Sequence, residues 1–169
     1  MSYVDILILR HLLRHPAHGY DLRKRVGATT GFTLHNNSLY PALKRFEEAG
    51  AVTRTAEQQE GKPPRHVYAI TEVGREMLHE MLAELPADAA GDETEFLARI
   101  GQFDLLTPDE RRRIIDLRDT ALAAHVERLR GLRERSGDLP WGARVTDELL
   151  RRADAEREWL ARLRAEVES

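Results

Sequence analysis

The sequence predicts a mainly α-helical protein with one small β-hairpin. Apolar residues recur at helical spacing along most of the 169 residues, and the chain is rich in charged residues (33%) and poor in aromatic ones (6%). Between residues 51 and 71 this pattern gives way to alternation rich in Val, Thr, Tyr and Ile, which is typical of two antiparallel strands. Gly50 ends a helix just before this hairpin. A helix followed at once by a two-stranded ribbon is the arrangement of a winged helix.

The composition excludes several classes of protein. The chain has no cysteine, so it has no disulfide, thiolate nucleophile or sulfur-ligated zinc site. No apolar run approaches the roughly 18 residues of a membrane span, and the first residues lack the basic start and cleavage site of a signal peptide. We therefore expect a soluble, cytoplasmic protein.

The two parts of the chain carry opposite net charge. Residues 1–71 hold 10 Lys and Arg against 6 Asp and Glu, a surplus of +4, whereas residues 72–169 carry −7. The overall charge of −3 therefore hides a basic amino-terminal part. A basic surplus is compatible with a nucleic-acid partner, although affinity depends on where the cations lie.

Two helices precede the one that ends at Gly50. The first is predicted to begin at Ser2, with Asp5 in a capping-box-like pair, and to end near His15. Its nearly all-round apolar surface predicts a central position in the core. The second is shorter and covers about residues 20–26.

The third helix has two possible starts. If Ser38 is the N-cap, Pro41 lies in the first turn, where backbone N–H groups have no acceptor within the helix. Proline, which has no N–H, then costs no hydrogen bond there. If the helix starts near Asn36, Pro41 should bend it slightly. In both cases one stripe at i, i+3, i+4, i+7 spacing is expected to be buried: Leu39, Ala42, Leu43 and Phe46.

The strands are predicted at residues 51–56 and 65–71. The segment between them, 57–64, is too long for a tight turn and is expected to form a projecting loop. Thr71 then caps a fourth helix with a coiled-coil-like apolar seam. The seam consists of Val73, Met77, Leu78, Met81, Leu82 and Leu85.

Residues 86–92 form a small polar linker, the best candidate boundary. Helices are predicted beyond it at 94–106, at 108–135 after a strong start at Thr107, and from about residue 143. The apolar stripes of the fourth and last two helices are too extended for the core of one chain. They predict a homodimer that pairs them across a two-fold axis.

The exposed side of the third helix is the candidate nucleic-acid surface. Amides, hydroxyls and cations bind base edges and phosphates, and this side offers Asn37, Ser38, Tyr40, Lys44 and Arg45. An ordinary solvated face is the alternative interpretation. Lys62 and Arg65 in the hairpin favour DNA, because a projecting loop there can reach phosphates beside the groove that the helix occupies.

The sequence resembles the PadR family of transcriptional regulators. The resemblance rests on His18-Gly19-Tyr20-Asp21-Leu22, on the run from Ser38 to Glu47, and on Gly61-Lys62-Pro63-Pro64-Arg65 leading into Tyr68 and residues 70–75. It covers residues 1–82, and the rest matches only loosely. Members often have Ser-Pro-Gly-Thr where this chain has His35-Asn36-Asn37-Ser38.

The resemblance implies a winged helix-turn-helix at residues 1–71 and a helical dimerisation and possible effector-binding region at 72–169. It implies a homodimer that represses promoters at a pseudo-palindromic operator on double-stranded DNA and is released by a small-molecule effector. Tyr40, Lys44 and Arg45 are the implied helix contacts, and Lys62 and Arg65 the implied wing contacts. Tyr20 could meet a phosphate or pack on the third helix.

Two tryptophans lie outside the amino-terminal part. Trp141 and Trp159 could line an effector pocket between helices, although packing is the alternative for both and Trp159 falls in an apolar stripe.

Other sites are weaker candidates. His11, His15 and His18 suggest a metal, but no nearby carboxylate or cysteine completes a set. Gly61-Lys62 lacks the spacing of a P-loop, and no catalytic motif occurs. We expect neither enzyme activity nor a cofactor. A winged-helix protein-interaction or ligand-binding module without DNA affinity is the alternative function.

Overall fold

The computed structural model describes residues 2–31, 34–59, 62–135 and 139–168. The chain forms two compact units, Met1–Leu82 and Ala83–Ser169. The first unit thus extends past residue 71 to include a helix that follows the hairpin. The functional roles assigned to residues 1–71 and 72–169 stay predictions.

The first unit packs helices around α1. Its elements are α1 (Tyr3–Arg14), β1 (Ala17–His18), α2 (Gly19–Thr30), α3 (Asn36–Glu48), β2 (Val52–Gln59), β3 (Lys62–Ile70) and α4 (Glu72–Ala83). α1 contacts α2, α3 and β3, and its buried residues include Ile6, Ile8, Leu9 and Leu12. The predicted central position of the first helix is therefore confirmed. α2 continues past the predicted residue 26 to Thr30.

The start of α3 corrects one prediction. His35 is the N-cap, and its carbonyl accepts from the N–H groups of Ser38 and Leu39, both at 3.0 Å. The helical turn is already closed there, so Ser38 as N-cap is wrong and the start near Asn36 is confirmed. Pro41 lies inside the helix and cannot donate to the carbonyl one turn before it. The predicted buried stripe is confirmed at Leu39, Ala42, Leu43 and Phe46.

α3 ends at the predicted glycine. Gly50 has φ of +70°, in the left-handed region that favours glycine. Its N–H donates to Glu47 O at 3.0 Å, and the N–H of Ala51 donates to Phe46 O at 2.8 Å. This is a Schellman motif, which stops the helix and sends the chain into β2.

The hairpin is longer than predicted. β2 and β3 pair from Val52 opposite Ile70 to Gln59 opposite Lys62, with a register shift between Glu57 and Gln59. The expectation of a projecting loop at 57–64 is therefore wrong, because both strands continue through most of it. Residues 60 and 61 lie outside the described residues.

The sheet also contains a short strand that was not predicted. β1 pairs with β3 through Ala17 opposite Tyr68 and His18 opposite Val67, giving the order β1-β3-β2. In the described part of the sheet, β1 pairs with β3 only at Val67 and Tyr68. The prolines at 63 and 64, which have no N–H to donate, therefore do not disrupt the hydrogen bonds between β1 and β3.

The start of α4 is fixed to the turn after α3. The Thr71 hydroxyl accepts from the Gly74 N–H at 3.1 Å and donates to Gly50 O at 2.7 Å. The Thr71 N–H also donates to Ala51 O at 3.0 Å. The predicted cap is confirmed. In the predicted seam Leu78, Met81 and Leu82 are buried, whereas Val73 is about half exposed.

The second unit contains α5 (Glu93–Ile100), a short 3-10 helix (Phe103–Leu105), α6 (Pro108–Arg135) and α7 (Pro140–Glu168). α6 has the predicted limits, and Thr107 and Glu110 exchange capping hydrogen bonds. α5 is shorter than predicted and is capped by Asp92, and α7 begins before residue 143. Within the described ranges, no helix is long and apolar enough to cross a membrane.

α6 and α7 pack against each other as an antiparallel hairpin. Among the described residues, the ion pairs that join them include Arg164 with Asp116, Arg118 with Glu156, Arg157 with Asp119, and Arg133 with Asp147, the last three at 2.7 Å. The predicted fold class, mainly helical with a small β wing in the amino-terminal unit and packed helices after it, is confirmed.

Candidate nucleic-acid interface

The outward side of α3 carries the residues that the sequence assigned to it. Asn37 and Ser38 are exposed in the first turn, and Tyr40 follows on the same helix at 46% exposure. The Lys44 side chain is 76% exposed, with Nζ 3.7 Å from Glu48 Oε1. The surface therefore has neutral hydrogen-bonding groups at its amino-terminal end and a cation further along.

Tyr40 packs closely on the start of α2. A Cβ atom added to Gly19 would lie 2.9 Å from Tyr40 Cε1, so only glycine fits without moving the ring. A groove of about 370 Å³ runs between α2, α3 and β3 at this point. It is lined by Gly19, Tyr20, Asp21, Tyr40, Arg65, His66 and Tyr68.

Tyr20 on α2 and Arg65 on β3 both line this groove. Tyr20 is 63% exposed, with the Arg23 guanidinium 5.5 Å from its ring centroid, so the ring is not buried against α3. Arg65 is exposed on β3. The side chain of Lys62, the other predicted wing contact, lies outside the part of the chain whose side chains are described.

Arg45 has a structural partner that the sequence did not indicate. Its Nη2 donates to Asp5 Oδ1 at 2.7 Å, and Asp5 Oδ2 accepts from the Ser2 N–H at 3.0 Å. Asp5 is buried, whereas the Arg45 side chain is 56% exposed. The guanidinium therefore connects α3 to the start of α1 while part of it faces solvent.

Replacing Arg45 by Met should lower the free energy of unfolding by about 1.5 to 3 kcal/mol, because a charge-assisted hydrogen bond to a buried carboxylate is lost. Urea denaturation followed by circular dichroism measures the change. Lys44→Met, one residue away and exposed, is the control and should stay within about 0.5 kcal/mol of the wild type. Equal stabilities of the two variants would contradict the structural role of Arg45.

Arg54 is a further cation of this surface, which the sequence pattern did not indicate. Its Nη1 lies 3.9 Å from Glu47 Oε2 on α3, and its Nη2 lies 2.6 Å from His66 Nε2 on β3. Since arginine can only donate, His66 Nε2 accepts and the ring proton is on Nδ1. His18 continues this network, with Nδ1 3.2 Å from His66 O and Nε2 3.4 Å from Glu57 Oε2. One feature of the sequence could have indicated Arg54 as part of the interface: it is a charged residue in the strand that directly follows the candidate helix.

A second groove, of about 550 Å³, lies on the Arg54 side of Tyr40. Its lining consists of Tyr40, Lys44, Glu47, Glu48, Arg54, His66 and Tyr68. Burial raises the pKa of the Tyr68 hydroxyl. Tyr40, His66 and Tyr68 line both grooves, so the polar surface is continuous from α2 across the sheet to the end of α3.

Of the three histidines considered as metal ligands, only His11 lies in α1. His11 Nδ1 lies 2.8 Å from Leu7 O, and burial lowers the pKa of His11. In the ranges that the structure describes, no three His, Cys, Asp or Glu side chains come together as metal ligands.

The second unit has a groove of about 580 Å³ between α5, α6 and α7. Its lining includes Leu97, Leu122, His125, Arg128, Leu149 and Trp159. Trp159 also meets the buried Phe96 edge to face, with 6.2 Å between ring centroids.

The two tryptophans are not brought together in this groove. Trp141 is 73% exposed at the start of α7, and it is not among the residues that line the groove. The guanidinium of Arg144 lies 4.6 Å from its ring centroid.

Comparison with known proteins identifies the amino-terminal unit. Residues 8–80 match the Transcriptional regulator PadR-like family. The probable transcriptional regulator Rv1176c of Mycobacterium tuberculosis is 33% identical over 79 residues, which cover 46% of this chain and 42% of that protein. The chain therefore matches less than half the length of this relative.

Solved structures that are similar to the chain include two PadR regulators. A PadR family transcriptional regulator from Eggerthella lenta is 35% identical, with 47% of this chain and 68% of that chain covered and a TM-score of 0.42. Bacillus subtilis PadR in complex with operator DNA is 22% identical, with 96% and 98% covered and a TM-score of 0.45.

The family match confirms the resemblance seen in the three sequence blocks. It extends over the helices and hairpin that form the polar surface around Tyr40, and its description is that of regulators and not of enzymes. The amino-terminal unit, which contains the matched residues 8–80, belongs to the PadR-like family of transcriptional regulators.

Proposed function

We propose that the chain binds operator DNA through α3 and the hairpin and regulates transcription. The observation that carries this proposal is the row of exposed polar and cationic side chains on α3 beside the hairpin. An α-helix fits the major groove of B-DNA, and amides and hydroxyls at its amino-terminal end can read base edges there. Asn37 and Ser38 take that role in this proposal.

The remaining groups of the surface bind phosphates. Tyr40 and Lys44 face the backbone that borders the major groove, and Arg65 and Lys62 contact the backbone from the hairpin. Tyr20, which is 63% exposed and lines the same groove as Arg65, contributes its hydroxyl. Arg45 adds its solvent-facing N–H groups while it holds Asp5.

A second copy of the chain completes the regulator. Trp141, Val145 and Leu149 are exposed and recur every four residues, so they form one apolar face of α7. Pairing across this face buries it and makes a homodimer. Two copies of α3 would then read a pseudo-palindromic operator with half-sites about 34 Å apart or a multiple of this distance.

The output in this proposal is repression that a small molecule relieves. The groove between α5, α6 and α7, with Trp159 in its wall, has the size of a ligand site. A ligand there would change the separation of the two α3 helices and so weaken operator binding.

Replacing Lys44 by Ala should make DNA binding less sensitive to salt. A cation that neutralises one phosphate contributes about one unit to the slope of log K against log salt, so the slope should become shallower by about one. Fluorescence anisotropy with duplexes selected from a random pool, between about 50 and 200 mM salt, measures it.

The control for this experiment is Arg162→Ala, which removes an exposed cation from α7. This variant should keep the wild-type slope. A wild type that selects no duplex, or binds with no salt dependence, would reject DNA binding and favour a protein-interaction module.

A further inference from the structure

Two cations of the candidate interface, Lys44 and Arg54, have an exposed carboxylate partner on the same surface. Lys44 Nζ lies 3.7 Å from Glu48 Oε1, and Arg54 Nη1 lies 3.9 Å from Glu47 Oε2. Glu47 and Glu48 are adjacent in the last turn of α3. Two negative charges therefore lie on the surface that must accept a polyanion.

These pairs contribute little to the stability of the fold. The side chains of the two α3 pairs are 40 to 76% exposed, and exposed ion pairs contribute little to stability because solvent screens both charges. The contrast is Arg45, whose partner Asp5 is buried. The fold therefore gains little from the ion pairs of Glu47 and Glu48.

We propose that Glu47 and Glu48 limit the affinity for DNA by competing with phosphates for Arg54 and Lys44. This inference rests on the proposed DNA-binding function. A phosphate that approaches either cation meets the negative charge of the carboxylate 3.7 or 3.9 Å from that cation, and this charge repels the phosphate. Arg54 then acts as a further phosphate contact, since His66 Nε2 takes only one of its N–H groups.

The consequence concerns specificity. Phosphate contacts are independent of sequence, so masking them lowers binding to all DNA. The hydrogen-bonding groups at the amino-terminal end of α3 lie two to three turns away from these carboxylates, at Asn37 and Ser38. Base contacts made there would keep their full contribution to the affinity for the operator. Because binding to other DNA is weakened, the ratio of specific to non-specific affinity would rise.

The test uses Glu47→Gln, Glu48→Gln and the double variant in the full-length chain. The probe is a labelled mixed-sequence duplex of about 30 base pairs, roughly three helical turns. Each single variant should bind about 3- to 10-fold tighter than wild type at low salt, with the gain shrinking as salt rises. The slope of log K against log salt should steepen by up to about one in Glu47→Gln, which frees Arg54. It should steepen by less in Glu48→Gln, because Lys44 already contributes to the wild-type slope.

Two controls separate competition from other effects. Glu158→Gln makes the same change in net charge on an exposed position of α7 and should leave the affinity within about twofold of wild type. In an Arg54→Gln background, Glu47→Gln should lose most of its gain, because the cation it masks is gone.

If the wild type binds DNA but the Glu47 and Glu48 variants bind no tighter, or bind more weakly, this inference is overturned while the proposed function stands. Weaker binding would mean that a carboxylate accepts a hydrogen bond from DNA, as from a cytosine amino group. A gain of the same size in Glu158→Gln would also overturn it. A wild type without duplex affinity would instead reject the proposed function itself.

Discussion

Replacing Glu156 by Leu is expected to lower the free energy of unfolding by about 3 to 5 kcal/mol. Arg118 is only 4% exposed, and it donates to both carboxylate oxygens of Glu156, at 2.7 and 2.9 Å. Its third described hydrogen bond goes to Ala90 O at 3.0 Å. The variant leaves a buried guanidinium without its counter-charge, and this cost greatly exceeds that of losing a surface pair. Urea denaturation followed by circular dichroism measures it.

The matched control is the double variant Arg118→Met with Glu156→Leu. It removes both charges and keeps apolar volume, so it should recover most of the lost stability. Asp147→Ala, which breaks the exposed pair with Arg133, should cost no more than about 1 kcal/mol. A single variant as stable as the wild type would show that the pair is not buried in solution.

Replacing Gly74 by Ala should destabilise the amino-terminal unit by about 3 kcal/mol. An added Cβ would lie 2.1 Å from Ala51 O and 2.7 Å from Ile70 Cγ1, and the first of these atoms belongs to the backbone. The start of α4 would have to move away from the turn after α3. The same denaturation experiment measures the loss.

Gly91→Ala is the control for this substitution, because an added Cβ at Gly91 meets no atom within 4 Å. It should change stability by less than about 0.5 kcal/mol. Equal effects at the two glycines would contradict the close approach of α4 to Ala51.

Local signals were enough to predict most helices. The limits of α6 follow from the capping pair of Thr107 and Glu110, and the burial of one side of α3 follows from its apolar spacing. β1 was missed because two residues show no alternation, and its pairing with β3 depends on residues about 50 positions away. The hairpin was predicted too short because its tip is polar and rich in proline.

For the candidate interface, the sequence predicted the features that lie within one helix but not the contacts between residues far apart in the chain. Exposure of Tyr40 and Lys44 follows from the period of α3. The bond from Arg45 to Asp5 joins residues 40 positions apart, and only the packing of α1 against α3 brings them together. Arg54 is in reach of Glu47 through the turn of the chain at Gly50. The sequence shows which residues are polar, but not which of them are already paired.

The arrangement of charges between α6 and α7 favours one alignment of the two helices over alignments displaced by one turn. Sliding α7 by four residues in one direction would bring Arg118 opposite Arg152, and sliding it in the other would bring Arg133 opposite Arg151. Either slip replaces attraction by repulsion. Apolar contacts alone tolerate such a one-turn displacement far better, because similar side chains repeat along both helices. We therefore expect the helical hairpin of α6 and α7 to move as one rigid unit, without one helix sliding along the other.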